Sequence, residues 1–415
     1  MKKYFLLFLL YACCTRVSGQ ATDTLKLTLA ESETLFQKNN LMILASHYRL
    51  SSVQALEIQA KLYDNPVISG ELPAYSPGRK WFDVGSSGQK SLGIDQLITL
   101  AGKRNKRVLL AKEQTRQEEF SFYELLRTLK YELRQSFYTI AYANELVEKF
   151  DTQMNLLQEI IKAYEIQSEK GNVALKDVVR LKTEYIQLSA DRNAVIMESI
   201  AARQSLQLLI NSTDFIVPVK ETAEETEMID LSGLIKTAQT NRSDLRYQES
   251  LLREGELNYQ YQKALAYPDL TIGAGYNQQG EYIPNLYSLR LGFDLPFFNR
   301  NQGNIKAAEW QIKVAETDRQ QKLNQISSEV KASFNRLMEA EREYKVSQQS
   351  FQKGFPEVNR SVIENFNKGN ISLLEFIDFF ENYNSAIRQV NQLSKQRRLA
   401  WENLEYVVGA TLTAH

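Results

Sequence analysis

Histidine and cysteine are almost missing from this chain, two of each in 415 residues. That scarcity removes most metal, thiol and Ser-His-Asp chemistries, and it leaves an enzyme with carboxylates and lysine alone. His47 falls in a helical pattern and His415 is the last residue, so neither suggests a catalytic group. There is no excess charge of either sign, 50 Lys plus Arg against 50 Asp plus Glu, and so no general attraction to nucleic acid. No Gly-rich, Lys-bearing nucleotide loop occurs, so no source of chemical energy is visible. Proline and glycine are few, 8 and 18, while Gln, Glu, Lys, Leu and Ala abound, a balance that favours long helices. Past residue 20 no apolar run reaches 18 residues, which excludes a membrane-spanning helix and leaves β-strands as the means of entering a bilayer.

The first 20 residues read as a secretory signal. Lys2 and Lys3 supply the charged start, Tyr4 to Ala12 the short apolar core, and Val17-Ser18-Gly19 a small-residue cleavage site. Both cysteines, Cys13 and Cys14, lie inside it, so a mature chain would hold no disulfide. Leu10-Tyr11-Ala12-Cys13 is a degraded form of a lipoprotein cleavage site, with bulky Tyr11 where a small residue is usual.

What is present is one unit written twice. Leu29, Asn39 and Pro66 align with Leu231, Asn241 and Pro268, and Gly171-Asn172 with Gly369-Asn370. Leu126, Leu129, Leu133, Phe137 and Ile140 match Leu323, Ile326, Val330, Phe334 and Leu337. The domain reading is a signal over 1–20, a first repeat over 21–210, a linker over 211–230 and a second repeat over 231–415. The linker carries Pro218 and the acids Glu221, Glu224, Glu225 and Glu227, read as a solubilising stretch. Each repeat opens with a helix, 28–64 and 230–266, which ends at Asn65-Pro66 and Tyr267-Pro268 because the residue before proline is pushed out of the α region. A pair of alternating segments follows, and then a helix without breakers from Lys103 to Lys170, about 100 Å long at about 1.5 Å per residue. Its counterpart starts at Asn304 and is interrupted by Gly354 and Pro356, so a kink is expected in the second copy alone. Return helices run from Asn172 to Ile210 and from Asn370 to Val408. The apolar steps of 3, 4, 4 and 3 form a coiled-coil seam, so the partners of these helices are other long helices.

The alternating segments cover about 67–75, 91–98, 270–278 and 286–294. In the last, Tyr287, Leu289, Leu291 and Phe293 oppose Ser288, Arg290, Gly292 and Asp294, a two-faced pattern of the kind found in transmembrane barrel strands. Strands in the first copy look less regular because of Pro73 and Asp95. Tyr75, Trp81, Phe82, Tyr282 and Tyr287 lie near strand ends, where aromatic girdles sit. Four strands cannot close a barrel, for which about eight are needed, so a membrane reading requires several chains to share one wall. Two soluble hairpins packed on the helices are the alternative.

The run Leu295-Pro296-Phe297-Phe298-Asn299-Arg300-Asn301-Gln302-Gly303-Asn304-Ile305 closely resembles the signature of outer membrane efflux proteins, the TolC family, and looks most like its heavy-metal branch. The motifs Gly171-Asn172-Val173-Ala174-Leu175-Lys176-Asp177 and Gly369-Asn370-Ile371-Ser372-Leu373-Leu374-Glu375 fit that family's periplasmic turns. The resemblance implies a mainly α fold with a transmembrane β-barrel contribution: a homotrimer with a twelve-stranded barrel in the outer membrane and an α-helical periplasmic tunnel. It implies a passive exit duct for substrates, metal cations among them, with a periplasmic adaptor and an inner-membrane RND transporter as partners. No catalytic residue, cofactor or resident metal is implied. Glu375 and Asp378 match acids that ring the closed end of the tunnel, and Asp177 matches one that locks it through an Arg and a Tyr. Those two partner positions hold Ile371 and Phe366 here, so gating is expected to rest on apolar packing. Gly171, Asn172, Gly369 and Asn370 become adaptor-facing tips, and Pro296, Asn299, Arg300, Asn301 and Gly303 the signature at the strand-to-helix entry. Type I secretion or drug export is a second reading within the class, and a periplasmic coiled-coil scaffold without a pore is the reading from another.

Overall fold

A computed structural model describes residues 24–75, 81–86, 88–220, 230–280, 282–352 and 354–412. The signal segment with Cys13 and Cys14, the acidic cluster from Glu221 to Glu227 and His415 lie outside them.

Two short helices, α1 (Leu29–Asn39) and α2 (Leu41–Lys61), lead to strands β2 (Val67–Glu71) and β3 (Gln89–Ile98). The long α3 (Lys103–Glu169) and its return α4 (Leu175–Ile210) follow. The order recurs as α5 (Leu231–Asn241), α6 (Ser243–Leu265), β5 (Leu270–Gln279), β6 (Ile283–Phe293), α7 (Gln302–Gln352), α8 (Phe355–Asn367) and α9 (Leu373–Val408). Between the two sets, β4 (Phe215–Pro218) pairs in parallel with the initial β1 (Thr24–Leu27). Residues 211–220, the described part of the segment read as a linker, carry a strand: the run Phe215-Ile216-Val217 is strand-forming, and Ile216 and Leu27 are buried in a core with Leu133, Ile140 and Leu206.

The single helices expected over 28–64 and 230–266 are each broken in two, without proline or glycine. Asn40 is extended (φ −67°, ψ 120°), and its Oδ1 accepts from the N–H groups of Met42 and Ile43 at the start of α2. Its Nδ2 donates to the Leu209 carbonyl at 2.8 Å. In the second set Arg242 has nearly the same backbone (φ −68°, ψ 123°), and its guanidinium donates to the Val407 carbonyl at 3.2 Å. Leu209 and Val407 sit in the last turns of α4 and α9, where carbonyls have no intrahelical partner. One architectural need, satisfying the end of a return helix, is thus met by Asn in one copy and Arg in the other.

The expected seam is buried. Leu133, Ile140, Ile326, Val330 and Leu337 have no exposure, while Leu126 and Leu323 pack at the edges of the same clusters. α1, α3 and α9 are also tied by Arg134, which reaches Glu33 at 2.6 Å, Glu405 at 2.5 Å and Glu402 at 3.0 Å. The second long helix is interrupted where Gly354 and Pro356 stand: α7 ends at Gln352 and α8 restarts at Phe355 with proline in its first turn, while α3 runs unbroken for 67 residues. No helix among the described residues is long and apolar enough to cross a membrane.

Candidate functional site

Two places stand out among the described residues: the four-stranded sheet at one end of the helices and the hairpin tips at the other. The sheet is antiparallel, in the order β2-β3-β5-β6. Its register puts Ile68, Leu92, Ile94, Ala274, Tyr276, Tyr287, Leu289, Leu291 and Phe293 on one face, because paired residues share a face and alternate along each strand. That face is uncovered, with Leu289 87% and Leu291 70% exposed. β2 stops at Glu71, short of the expected 75, since Pro73 cannot donate to the ladder. β6 begins at Ile283, three residues earlier than expected. Ten steps of about 3.4 Å tilted by about 40° give a band about 25 Å tall. Tyr75, Trp81, Phe82 and Tyr282 crowd the end away from the helices, with the Tyr75 and Trp81 rings 5.1 Å apart. A second aromatic group at the helical end was not anticipated: Tyr63, Tyr267, Phe297 and Phe298 are all more than 60% exposed.

The opposite face is mostly small or polar, with Val67, Leu97 and Leu286 among its apolar members. Asp95, which looked irregular in sequence, lies on it and binds Arg290 at 2.9 Å across the middle strand β5. Glycine makes the room: a Cβ on Gly273 would fall 2.0 Å from Asp95 Oδ1, and one on Gly93 2.4 Å from the Arg290 guanidinium.

The signature run fastens the sheet to α7. Asn301 is left-handed (φ 58°), a conformation asparagine tolerates. Its N–H donates to Asn299 Oδ1 at 3.0 Å, and its Nδ2 donates to the carbonyl and side-chain oxygen of Gln262 at 2.8 and 2.9 Å. Asn304 donates to Asn301 Oδ1 at 2.6 Å, and the Arg300 N–H to Gln302 Oε1 at 2.8 Å. Pro296 lies inside a turn closed by Phe297 N–H on the Leu295 carbonyl. A side chain on Gly303 would meet nothing within 4 Å, so the chain itself gives no steric reason for that glycine. The matching first-copy junction holds buried Lys103 against Asp269 at 2.8 Å and the Tyr267 carbonyl at 2.7 Å.

At the tips both reversals have the same form. Gly171 (φ 77°) and Gly369 (φ 74°) are left-handed, and a Cβ on either would meet nothing within 4 Å, so backbone conformation alone asks for glycine. The Asn172 N–H donates to the Gln167 carbonyl and the Asn370 N–H to the Asn365 carbonyl. Each asparagine side chain repeats the link, to Gln167 at 2.8 Å and to Asn365 at 3.0 Å.

The three acids differ in what they are free to do. Glu375 closes a capping box: its carboxylate accepts from the Ser372 N–H at 2.8 Å and the Ser372 hydroxyl at 2.7 Å. Those bonds hold its carboxyl below the usual range and bend it back along its own helix. Asp378, one turn on, is exposed, and its carboxylate has no ion-pair or hydrogen-bond partner among the described residues. Asp177 stands in the first turn of α4 behind Ala174, which offers no side-chain cap. Burial, and then the charge of Asp177, raise the Tyr164 hydroxyl pKa. The positions where a polar lock was not expected, Phe366 and Ile371, belong to an apolar cluster with Leu157, Ile161, Leu181, Phe376 and Phe380. Phe366 on α8 stacks on Phe376 at 4.2 Å and on Tyr164 of α3 at 5.9 Å, an aromatic bridge between hairpins whose Tyr164 the sequence did not single out.

No group of three potential metal-ligating side chains exists among the described residues. A cavity of about 520 Å³ beside Tyr131 and Tyr406 is lined by Arg127, Lys130 and Arg134, but these already serve Glu124 and Glu33.

Comparison with known proteins agrees with this geometry. Residues 234–410 match the outer membrane efflux protein family. Over 353 residues, 85% of this chain and 82% of the other, the chain is 19% identical to the cobalt-zinc-cadmium resistance protein CzcC of Cupriavidus metallidurans. Its fold is similar to that of CusC, crystallised in a study of transmembrane channel formation, with a TM-score of 0.74 at 15% identity over 92% of each chain. It is likewise similar to the Campylobacter jejuni outer membrane channel CmeC, with a TM-score of 0.75 at 14% identity over 92% of this chain and 85% of that one. The outer membrane efflux protein family is thus matched along α5 to α9, and the fold is similar to that of these channels along most of the chain, from strands to tips.

Proposed function

We propose that three copies of this outer membrane protein close their sheets into one twelve-stranded barrel, and that α3, α4 and α7–α9 continue it as a tunnel through the periplasm. The observation that carries this is the sheet itself. It has one uncovered apolar face, one polar face and two unpaired edges, β2 and β6, and an open edge cannot be left in lipid. Pairing β6 of one copy with β2 of the next satisfies both edges without new structure. Residues 1–20 act as the export signal, and 21–210 and 231–415 are the two copies of one ancestral unit about the 211–230 waist.

The protein is then the exit duct of a tripartite efflux pump, driven by an inner-membrane transporter of the RND type and joined through an adaptor at the tips around Gly171 and Gly369. Asp378 from three copies, with Glu375 behind it, sets a negative potential at the narrow end, which favours cations. The name of CzcC supports metal cations as the substrate.

The test is purification of the mature chain in detergent followed by planar-bilayer recording. Trimers that lose their mobility on heating and conduct in discrete steps are expected. A monomer soluble without detergent and silent in the bilayer would overturn the duct in favour of a periplasmic scaffold. Deleting the gene should raise sensitivity to cobalt, zinc or cadmium; raised sensitivity to dyes and detergents alone would move the substrate to the drug-export branch.

A further inference from the structure

The return helices α4 and α9 share a seam whose charges repeat. Asp191 accepts from Arg388 at 2.9 Å and Glu198 from Lys395 at 2.7 Å, both pairs separated by 197 residues. A constant separation means the helices run parallel, and a step of seven residues between rungs keeps each rung on the same stripe. One heptad nearer the tip the same register brings Glu184 opposite Glu381. A ladder of acid with base thus ends on acid with acid.

Glu184 is 8% exposed, and the register sets its carboxyl against that of Glu381, which is itself exposed. Two carboxylates in contact can bond only through a proton on one of them. Among the described residues no base is paired with Glu184. On α4, Arg180 forms no ion pair among the described residues, Lys182 is taken by Glu165 at 2.6 Å, and Asp191 adds a further negative charge. On α9, Arg388 is held by Asp191, and Asp378 is acidic. On α3, between the residues that hold Lys182 and Arg192, the charged groups are Glu159 and Lys162, both exposed. On α8, Glu357, Arg360 and Glu364 are exposed as well. Apolar Leu181, Leu188, Phe380 and Ile387 are buried in the cluster on the Glu184 side of the level, and Asn384, one turn from Glu381, is buried with neither amide atom paired.

We infer that Glu184 and Glu381 form a proton-binding site between the two helical hairpins, which clips them together when one proton is shared and pushes them apart when it is lost. The inference rests on the hairpins being the tunnel end, and it gives that end a response to periplasmic acidity. Burial, then the hydrogen bond and charge of Glu381, push the Glu184 carboxyl up to about 7 from 4.5. A carboxyl raised in the docked state favours docking most fully below its ordinary value, and that advantage is lost as pH rises from 4.5 through about 7. The clip is therefore shut in acid and released at neutral pH and above.

Cysteine occurs only at positions 13 and 14, so spin labels at Gln187→Cys and Ser385→Cys, both exposed seam positions, are specific in a Cys13→Ser, Cys14→Ser background. Distances between them are measured in purified detergent-solubilised protein from pH 5 to pH 8.5. The wild-type distribution should lengthen and broaden with a midpoint near 7. Glu184→Gln, which stays neutral, should remove the response, and Glu381→Lys, which completes the acid–base ladder, should hold the short distance throughout. An unchanged wild-type distance across the range, or a response that survives in Glu184→Gln, overturns the inference; should that variant not fold, Glu381→Lys decides alone. The reading does not depend on conduction, so a failed clip is distinguishable from a failed channel.

Discussion

Replacing Phe366 by alanine should loosen the end of the helical hairpins. Its ring is 8% exposed and stands between Phe376 of its own hairpin and Tyr164 of the other. Removing a buried phenylalanine costs about 3–5 kcal/mol in lost transfer energy and residual cavity, and each aromatic contact accounts for about 0.5–1.5 kcal/mol of special geometry. The Tyr164 contact alone is made across hairpins, so it sets the lower bound on what the docked tip loses, about 1 kcal/mol. If opening exposes the ring to water, most of about 3 kcal/mol is lost instead. At about 1.4 kcal/mol per tenfold, the open fraction rises between about fivefold and about a hundredfold. Single-channel recording at fixed salt and pH measures that fraction directly. Tyr164→Ala removes the cross-hairpin partner but spares the Phe366–Phe376 stack, and it should fall between wild type and Phe366→Ala. If Phe366→Ala lowers the thermal midpoint while open fraction and conductance stay at wild-type values, the aromatic bridge is ordinary core and the gating argument fails.

Two further outcomes follow from the geometry. Leu289→Lys places a charge on the uncovered apolar face, at a cost of about 2–4 kcal/mol at mid-bilayer, and should abolish trimers in outer-membrane fractions, whereas Ser288→Lys, one residue away on the polar face, should assemble; equal assembly of both would contradict the two-faced wall. Asp378→Asn should reduce cation preference in bilayer recordings more than Glu375→Gln does, because the Glu375 carboxylate is engaged with Ser372; an equal or reversed effect would show that Glu375 faces the opening.

The regular parts were legible because they rest on local periodicity. Absence of proline and glycine over Lys103–Lys170, apolar steps of 3 and 4, and strict alternation in Leu286–Asp294 each report on neighbours a few residues away, and helices and strands are decided at that range. Gly171 and Gly369 were readable for the same reason, since a left-handed reversal is a local need. The Ser372-x-x-Glu375 cap is likewise written in the chain as a capping-box pattern, a local need of the helix start.

What escaped depends on partners far along the chain. Asn40 and Arg242 break their helices because Leu209 and Val407 carry carbonyls that need donors, and no pattern around position 40 or 242 announces that. Strand β4 exists because β1 lies beside it. Asp95 looked like a flaw until the register set it against Arg290, and Tyr164 acquired its place only when α8 brought Phe366 against it. Glu184 is ordinary in sequence; it becomes a shared-proton site because the folded register sets another glutamate, not a lysine, on the opposite helix. Local periodicity thus determined which segments are helices and strands and which faces are apolar. Tertiary structure alone decided which charges meet, since pairing across a seam depends on an offset of 197 residues that no short window contains.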